Sequence, residues 1–103
     1  MRKAKIFNFG IEAGILEETE RGKSYKFVYN DGYNGPPVSL TLPVEQKEFS
    51  FNEFPSYFDG LLPEGNQLES LIKQTKTDRG DHFSHLVIVG KDLVGSVTVE
   101  EVL

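Results

Sequence analysis

The two histidines of the chain, His82 and His85, lie three residues apart, and Asp78 and Asp81 stand just before them. Imidazole and carboxylate groups at this spacing bind metals when they share a helix face. A catalytic zinc site, however, needs a third protein ligand, and the chain has neither an HExxH motif nor a cysteine. We therefore expect these four residues to be exposed or to cap a helix, with no metal bound.

Other motifs resemble catalytic signatures only in outline. Residues 90–96 contain the two glycines of a phosphate loop, but no lysine precedes Ser96 and a strand is predicted to follow where a helix is needed. No serine lies in a GxSxG elbow. The neighbouring carboxylates Glu17 and Glu18, like the pair at 100–101, would alternate sides along a strand, as at a solvated sheet edge. The sequence thus predicts no catalytic, cofactor-binding or metal-binding residue, and a protein that is not an enzyme.

Composition and charge narrow the classes of function further. Of the 103 residues, 38% are hydrophobic and 26% are charged, which is typical of a globular protein with its own core. The net charge of −5 disfavours binding to nucleic acid, and no apolar run approaches the roughly 18 residues of a membrane span. The absence of cysteine excludes disulfides and fits the cytoplasm. Because no apolar run follows Arg2, Lys3 and Lys5, we expect them to begin a strand in solvent and not a signal peptide.

Alternation of apolar and polar residues predicts strands in the first half of the chain. They are expected at residues 3–9, 10–17, 25–29 and 38–42, with a short strand at 49–51. In the clearest of them, Tyr25, Phe27 and Tyr29 share one face. These rings would form a stacking platform for single-stranded nucleic acid only among basic residues, and only Lys23 and Lys26 are near. We expect the rings to pack in the core.

The second half mixes helical and extended patterns. Leu68, Leu71 and Ile72 recur at helical spacing, which predicts a short amphipathic helix from residues 63–64 onward. Residues 81–90 fit either a helix begun by Asp81 and ended by Gly90, or a buried strand at 86–89. A hairpin turn at 90–96 and a final strand at 94–100 follow. Together these elements predict one α+β domain over residues 1–103. It would contain a small antiparallel sheet or partly closed barrel in the first half, two short helices and a C-terminal hairpin strand.

The segment at 54–65 is the least regular part of the chain. It combines large apolar residues with two prolines and two glycines, and it follows no period. We expect Tyr57, Phe58, Leu61 and Leu62 to close the core beneath the following helix. Residues 63–65 then remain rigid and accessible at the start of that helix, where they form a candidate contact surface.

Three motifs give the chain a resemblance to a known family, and their order and spacing along the chain are those of the family. F-D-G-L-L-P-E-G at 58–65 resembles the FF-x-N-LLPEG signature in the N-terminal region of HipA-type serine/threonine kinases. P-V-S-L-T-L-P at 37–43 is similar to the family's P-x-S-L-S-L-P strand, and residues 89–99 are similar to its G-x-D-x-x-G-A-V-x-V hairpin. The departures at 59–60 and 93–94 concern the turns. The resemblance implies that residues 81–89 are helical.

The sequence lacks the residues with which that family transfers phosphoryl groups. None of its aspartates has an asparagine five residues later, as a kinase catalytic loop requires. A free-standing copy of the N-terminal region resembles the small antitoxin subunits, HipS, of HipBST toxin–antitoxin systems. The resemblance implies a protein that binds and inhibits a HipT-like kinase in trans, together with a HipB-like DNA-binding protein. The alternatives are a non-inhibitory scaffold that links such a kinase to the HipB-like protein, and an N-terminal fragment of a HipA kinase.

Under this hypothesis, the segment at 57–66 blocks the kinase active site or holds the kinase in an inactive state. The resemblance implies no cofactor. The predicted partner-binding residues are Tyr57, Phe58, Leu61, Leu62, Pro63, Glu64 and Gly65.

Overall fold

Five strands form one antiparallel sheet in residues 2–102, the part of the chain that the computed structural model describes. In chain order the strands are β1 (Lys3–Asn8), β2 (Ile11–Glu20), β3 (Ser24–Tyr29), β4 (Glu48–Phe51) and β5 (Val97–Val102). Between β4 and β5 the same described residues form three helices, α1 (Ser56–Asp59), α2 (Gly65–Thr75) and α3 (His82–Val89). A short 3-10 helix spans Val44–Gln46. The predicted α+β class is confirmed.

One face of the sheet carries the core, because inward and outward side chains alternate along each strand. Tyr25, Phe27 and Tyr29 are buried, as the alternation in β3 predicts, so they form no platform for nucleic acid. The rings of Phe27 and Tyr29 contact each other and Phe49 of β4. Other large members of the core come from β1, β2, β5 and the helices: Ile6, Leu16, Val99, Phe58, Phe83 and Leu86.

The sheet stays open, and the predicted partly closed barrel is wrong. The spatial order is β4-β3-β2-β1-β5, with β4 and β5 at the two edges of the sheet. Phe58 of α1 and Phe83 and Leu86 of α3 pack on the apolar face of the sheet, so the face is buried without closure. The final strand is present, but residues 90–96 connect α3 to β5 and are not a hairpin turn between strands. Instead β5 pairs with β1, from the pair Asn8–Val97 to the pair Lys3–Val102.

The segment at 38–42 forms turns, although its alternation predicts a strand. Val38 and Leu42 are buried as the alternation predicts, but Leu40, expected on the same inward face, is 96% exposed. The backbone groups of Val38 and Leu42 bond to a side chain. The Tyr29 hydroxyl accepts a hydrogen bond from the N–H of Val38 and donates one to the carbonyl of Leu42. The position beside β3 is taken by β4. One tyrosine side chain thus pairs a backbone group at each end of the segment, in place of a strand ladder.

The expected helix at 81–89 is present as α3, and an ion network fastens its start to the sheet. Asp81 caps α3 by accepting a hydrogen bond from the backbone N–H of Ser84. Arg2 donates to both carboxylate oxygens of Glu18, at 2.7 and 2.8 Å, and to Asp81 Oδ1 at 3.0 Å. The guanidinium also lies 5.0 Å from the centre of the Phe83 ring. One cation therefore joins β1, β2 and α3.

This network corrects two expectations about charged residues. Arg2 is not a solvated strand start, since the side chain is only 22% exposed. Glu18 does not lie at a solvated edge, because β2 runs between β1 and β3 and the side chain of Glu18 is 2% exposed. Glu18 points inward because it lies two residues after buried Leu16 on the same face of β2. Hydrogen bonds from Arg2, then from the N–H of Gly22, lower the pKa of Glu18 despite its burial.

Candidate functional site

The segment at 54–65 turns the chain from the sheet edge to α2. Helix α1 is a single turn, and the N–H groups of Leu61 and Leu62 bond back to the carbonyls of Phe58 and Asp59, each at 3.1 Å. After Pro63 the backbone is extended at Glu64, with φ −127° and ψ 166°. Gly65 opens α2 with φ +57°, a conformation that favours glycine. The residues before α2 therefore hold a defined shape.

The structure divides the seven predicted partner-binding residues into three groups. Phe58 is fully buried, with its ring centre 5.9 Å from that of Phe27, so it supports the surface from within the core. Tyr57, Leu61 and Leu62 pack against the core but keep part of their surface exposed. Pro63 is half-buried, and Glu64 and Gly65 are exposed. The segment thus offers a partner a leucine pair, a proline and a carboxylate.

Helix α2 continues this surface with an apolar stripe that the core does not use. None of its 11 residues is buried. Leu68, Leu71 and Ile72 are half-buried, and they are not among the partly buried residues that pack against the core. An amphipathic helix whose apolar stripe does not pack against the core of its own domain is typical of a contact surface.

A groove lies between this segment and the loop that follows α3. Its volume is about 390 Å³, and its apolar lining includes Leu61, Leu62, Pro63, Val89, Leu93 and Val94. Leu93 packs against the core, whereas Val94 is 95% exposed. Nothing in local periodicity brings residues 92–94 beside residues 60–63, so the sequence alone does not place them at the candidate contact surface. One sign of their role is visible in the sequence. Leu93 and Val94 are two consecutive large apolar residues in a turn, where polar residues are usual.

The electrostatics of this region are acidic. Asp59, Glu64 and Asp92 are exposed, and among residues 2–102 none of the three forms a salt bridge. Further along α2, Glu69 pairs with Arg79 at 2.6 Å, and this hydrogen bond lowers the pKa of Glu69. Burial raises the pKa of Tyr57 above its usual value.

The two histidine rings lie 6.3 Å apart but have different partners. His85 is fully buried, its Nε2 lies 3.0 Å from Thr77 Oγ1, and its Nδ1 has no hydrogen-bond partner. Burial lowers the pKa of His85, so the ring is neutral near pH 7. The ring of His82 packs against Phe54, with 5.5 Å between centres. Within residues 2–102 no three His, Cys, Asp or Glu side chains converge as a metal site requires.

Comparison with known proteins bears directly on this arrangement. A model of the HipA N-terminal domain matches residues 4–100. The chain belongs to the HipA N-terminal domain family. The chain is 35% identical over 101 residues to an uncharacterized protein from Haemophilus influenzae, with 98% of the chain and 93% of that relative covered. It also resembles the solved N-terminal domain of HipA toxin, with a TM-score of 0.78 and 30% identity, over 100% of the chain and 94% of that structure.

Family membership confirms the resemblance drawn from the three motifs. Two of those motifs, at 58–65 and 89–99, meet in space at the groove between residues 60–63 and 92–94. No helix within residues 2–102 combines the length and apolar character that crossing a bilayer demands.

Proposed function

We propose that this protein is an antitoxin that binds a HipA- or HipT-like serine/threonine kinase in trans and inhibits it. The observation that carries the proposal is the extent of the match. The HipA N-terminal domain accounts for residues 4–100, and the chain covers 93% of its Haemophilus influenzae relative. That relative has about the same length as this chain, which supports a domain that acts on a kinase carried by a different chain. The protein then acts by contact and not by catalysis, in the cytoplasm.

The binding surface in this proposal is the segment at 57–65 together with α2. Leu61 and Leu62 keep exposed apolar area, and the apolar stripe of α2 is half-buried without packing on the core. A kinase that covers both removes this area from water, at about 25 cal/mol per Å². Apolar interfaces of this kind are typical of permanent partners.

Inhibition follows when residues 57–66 enter the active site of the kinase. Pro63 has a fixed φ, and the backbone turns sharply at Gly65, so the segment loses little freedom on binding. Between them, Glu64 presents an exposed carboxylate that forms no salt bridge within residues 2–102. Kinase active sites hold nucleotide phosphates with cationic groups, which are complementary to a carboxylate.

A HipB-like protein supplies the DNA-binding element of the proposed complex. With a net charge of −5, this chain has no general attraction for the phosphate backbone. We therefore expect it to reach DNA indirectly, in a ternary complex with the kinase and the HipB-like protein.

The test uses a purified HipT-like kinase that lacks its own N-terminal domain, preferably the one encoded by a neighbouring gene. We expect the wild-type protein to suppress kinase autophosphorylation. Leu62→Ala and Glu64→Lys should each weaken the inhibition by about tenfold or more, as expected for residues near the centre of an interface. Glu45→Lys reverses a comparable exposed carboxylate outside the segment and should inhibit like the wild type.

Circular dichroism of the variants must show retained folding. Unchanged inhibition by both folded variants would count against this surface. Binding without inhibition, and without rescue of growth when kinase and antitoxin are co-expressed, would favour the scaffold function.

A further inference from the structure

The groove between residues 60–63 and 92–94 has an apolar floor and an exposed apolar end. Leu61, Leu62 and Leu93 form the floor and rest on the core. Val94 stands at one end, 95% exposed, and nothing in residues 2–102 covers it. The volume of about 390 Å³ lies within the range of about 300–1,000 Å³ that pockets for small ligands occupy. One large side chain of a partner would therefore fit.

The charges around the groove are predominantly negative. Asp92 lines it, and Glu64 follows the lining residue Pro63 in the chain, whereas Asp59 lines a separate cleft beside Glu53 and His82. Asp92 and Glu64 have no salt-bridge partner in the described chain, whereas Lys91 is the nearest cation in sequence. An apolar hole with an acidic rim selects a partner that combines an apolar side chain with flanking positive charges.

We propose that this groove receives one apolar side chain from a lysine- or arginine-bearing segment of the kinase, with Val94 and Asp92 as specificity-determining contacts. The inference rests on the proposed function and deepens it. It adds the loop after α3 to the interface, so that the kinase is held by two segments that are about 30 residues apart in sequence. The apolar contact sets the lifetime of the complex, and the acidic rim favours its formation and selects the basic partner.

The chain offers a matched pair of variants for this test. Val94 and Leu40 are both almost completely exposed, at 95% and 96%, so neither substitution should affect folding. Leu40 lies outside the groove, next to Pro37 and Pro43. We expect Val94→Arg to weaken binding to the purified HipT-like kinase at least tenfold in a titration calorimetry experiment, and Leu40→Arg to stay within twofold of the wild type.

A second variant tests the rim. Asp92→Lys should weaken binding severalfold at low salt, and the dependence of its affinity on salt should be smaller than that of the wild type, because one attractive charge pair is lost. In methyl NMR spectra, the signals of Leu61, Leu62, Leu93 and Val94 should shift on addition of the kinase, and that of Leu40 should not.

The possible results separate this inference from the proposed function. Wild-type affinity for both Val94→Arg and Asp92→Lys, with the wild-type protein still inhibiting the kinase, would overturn the groove and leave the antitoxin proposal standing. Equal weakening by Val94→Arg and Leu40→Arg would also overturn it, since the effect would then be non-specific. Failure of the wild-type protein to bind the kinase would overturn both.

Discussion

The side chain of Arg2 links two strands of the sheet to the start of α3. Its guanidinium donates to Glu18 on β2, to Asp81 before α3 and to Ser84 Oγ at 2.8 Å. These contacts need several donors in one plane, which arginine has and lysine lacks. Because Glu18 is 2% exposed, its charge depends on this partner.

We predict that Arg2→Met lowers the free energy of unfolding by about 3 kcal/mol at pH 7, because it leaves a buried carboxylate without its cation. Urea titration followed by circular dichroism measures the loss. The double variant Arg2→Met/Glu18→Gln should recover part of the lost stability, since a neutral amide needs no cation. Lys3 follows Arg2 in the chain and is exposed, so Lys3→Met should change the free energy of unfolding by less than about 0.5 kcal/mol. A stable Arg2→Met variant would show that the network contributes little.

At the scale of elements, the contact between α3 and β5 depends on Gly90. The sequence suggests this glycine as a helix end, and α3 does end at Val89. The helix end does not itself require glycine, however, because the φ of Gly90, −54°, suits any residue. A Cβ at this position would lie 2.2 Å from the carbonyl oxygen of Val99, while the N–H of Val99 donates to the carbonyl of Gly90 at 2.9 Å. Close approach of helix and strand excludes a side chain here.

We predict that Gly90→Ala lowers the free energy of unfolding by about 2 kcal/mol, because α3 must move away from β5. In a thermal melt this corresponds to a fall of roughly 10 °C in Tm. Gly80→Ala is the matched control, as nothing lies within 4 Å of a Cβ there. Equal melting temperatures for the two variants would contradict the close-packing explanation.

At the scale of the whole molecule, stability should fall as the pH falls, in two steps. Burial lowers the pKa of His85, so below the unfolded value of about 6.5 the unfolded chain binds a proton that the folded protein resists. Burial alone would raise the pKa of Asp81, but hydrogen bonds from Arg2 and Ser84 outweigh it and lower the value to about 2. The stabilisation from Asp81, about 2 kcal/mol, is present above pH 4 and is lost between about pH 4 and 2.

We predict that His85→Gln flattens the stability profile between pH 7 and 5 and leaves the step below pH 4 in place. The profile is measured by urea unfolding at half-unit pH intervals. His82→Gln, which changes a half-buried ring on the same helix, should retain most of the slope, because the charge of His82 lowers the pKa of His85 less than burial does. A wild-type profile that is level from pH 7 to 5 would refute the role given to His85.

Local patterns in the sequence were sufficient where a residue's environment depends on its near neighbours. The alternation in β3 predicts which of its rings are buried, and the leucine spacing predicts α2. The motif at 58–65 identifies the family and the candidate contact surface. For residues 81–89 the periodicity left helix and strand open, and the family resemblance gave the helix that the structure confirms.

Only the tertiary structure decided what depends on distant partners. The strand pattern at 38–42 yields to Tyr29, whose hydroxyl bonds to both ends of the segment. The charge of Glu18 is buried because Arg2 reaches it, and the groove exists because residues 92–94 fold back beside residues 60–63. A sequence pattern records which face of an element is apolar, whereas the free energy of these contacts arises from groups that meet only after the chain has folded.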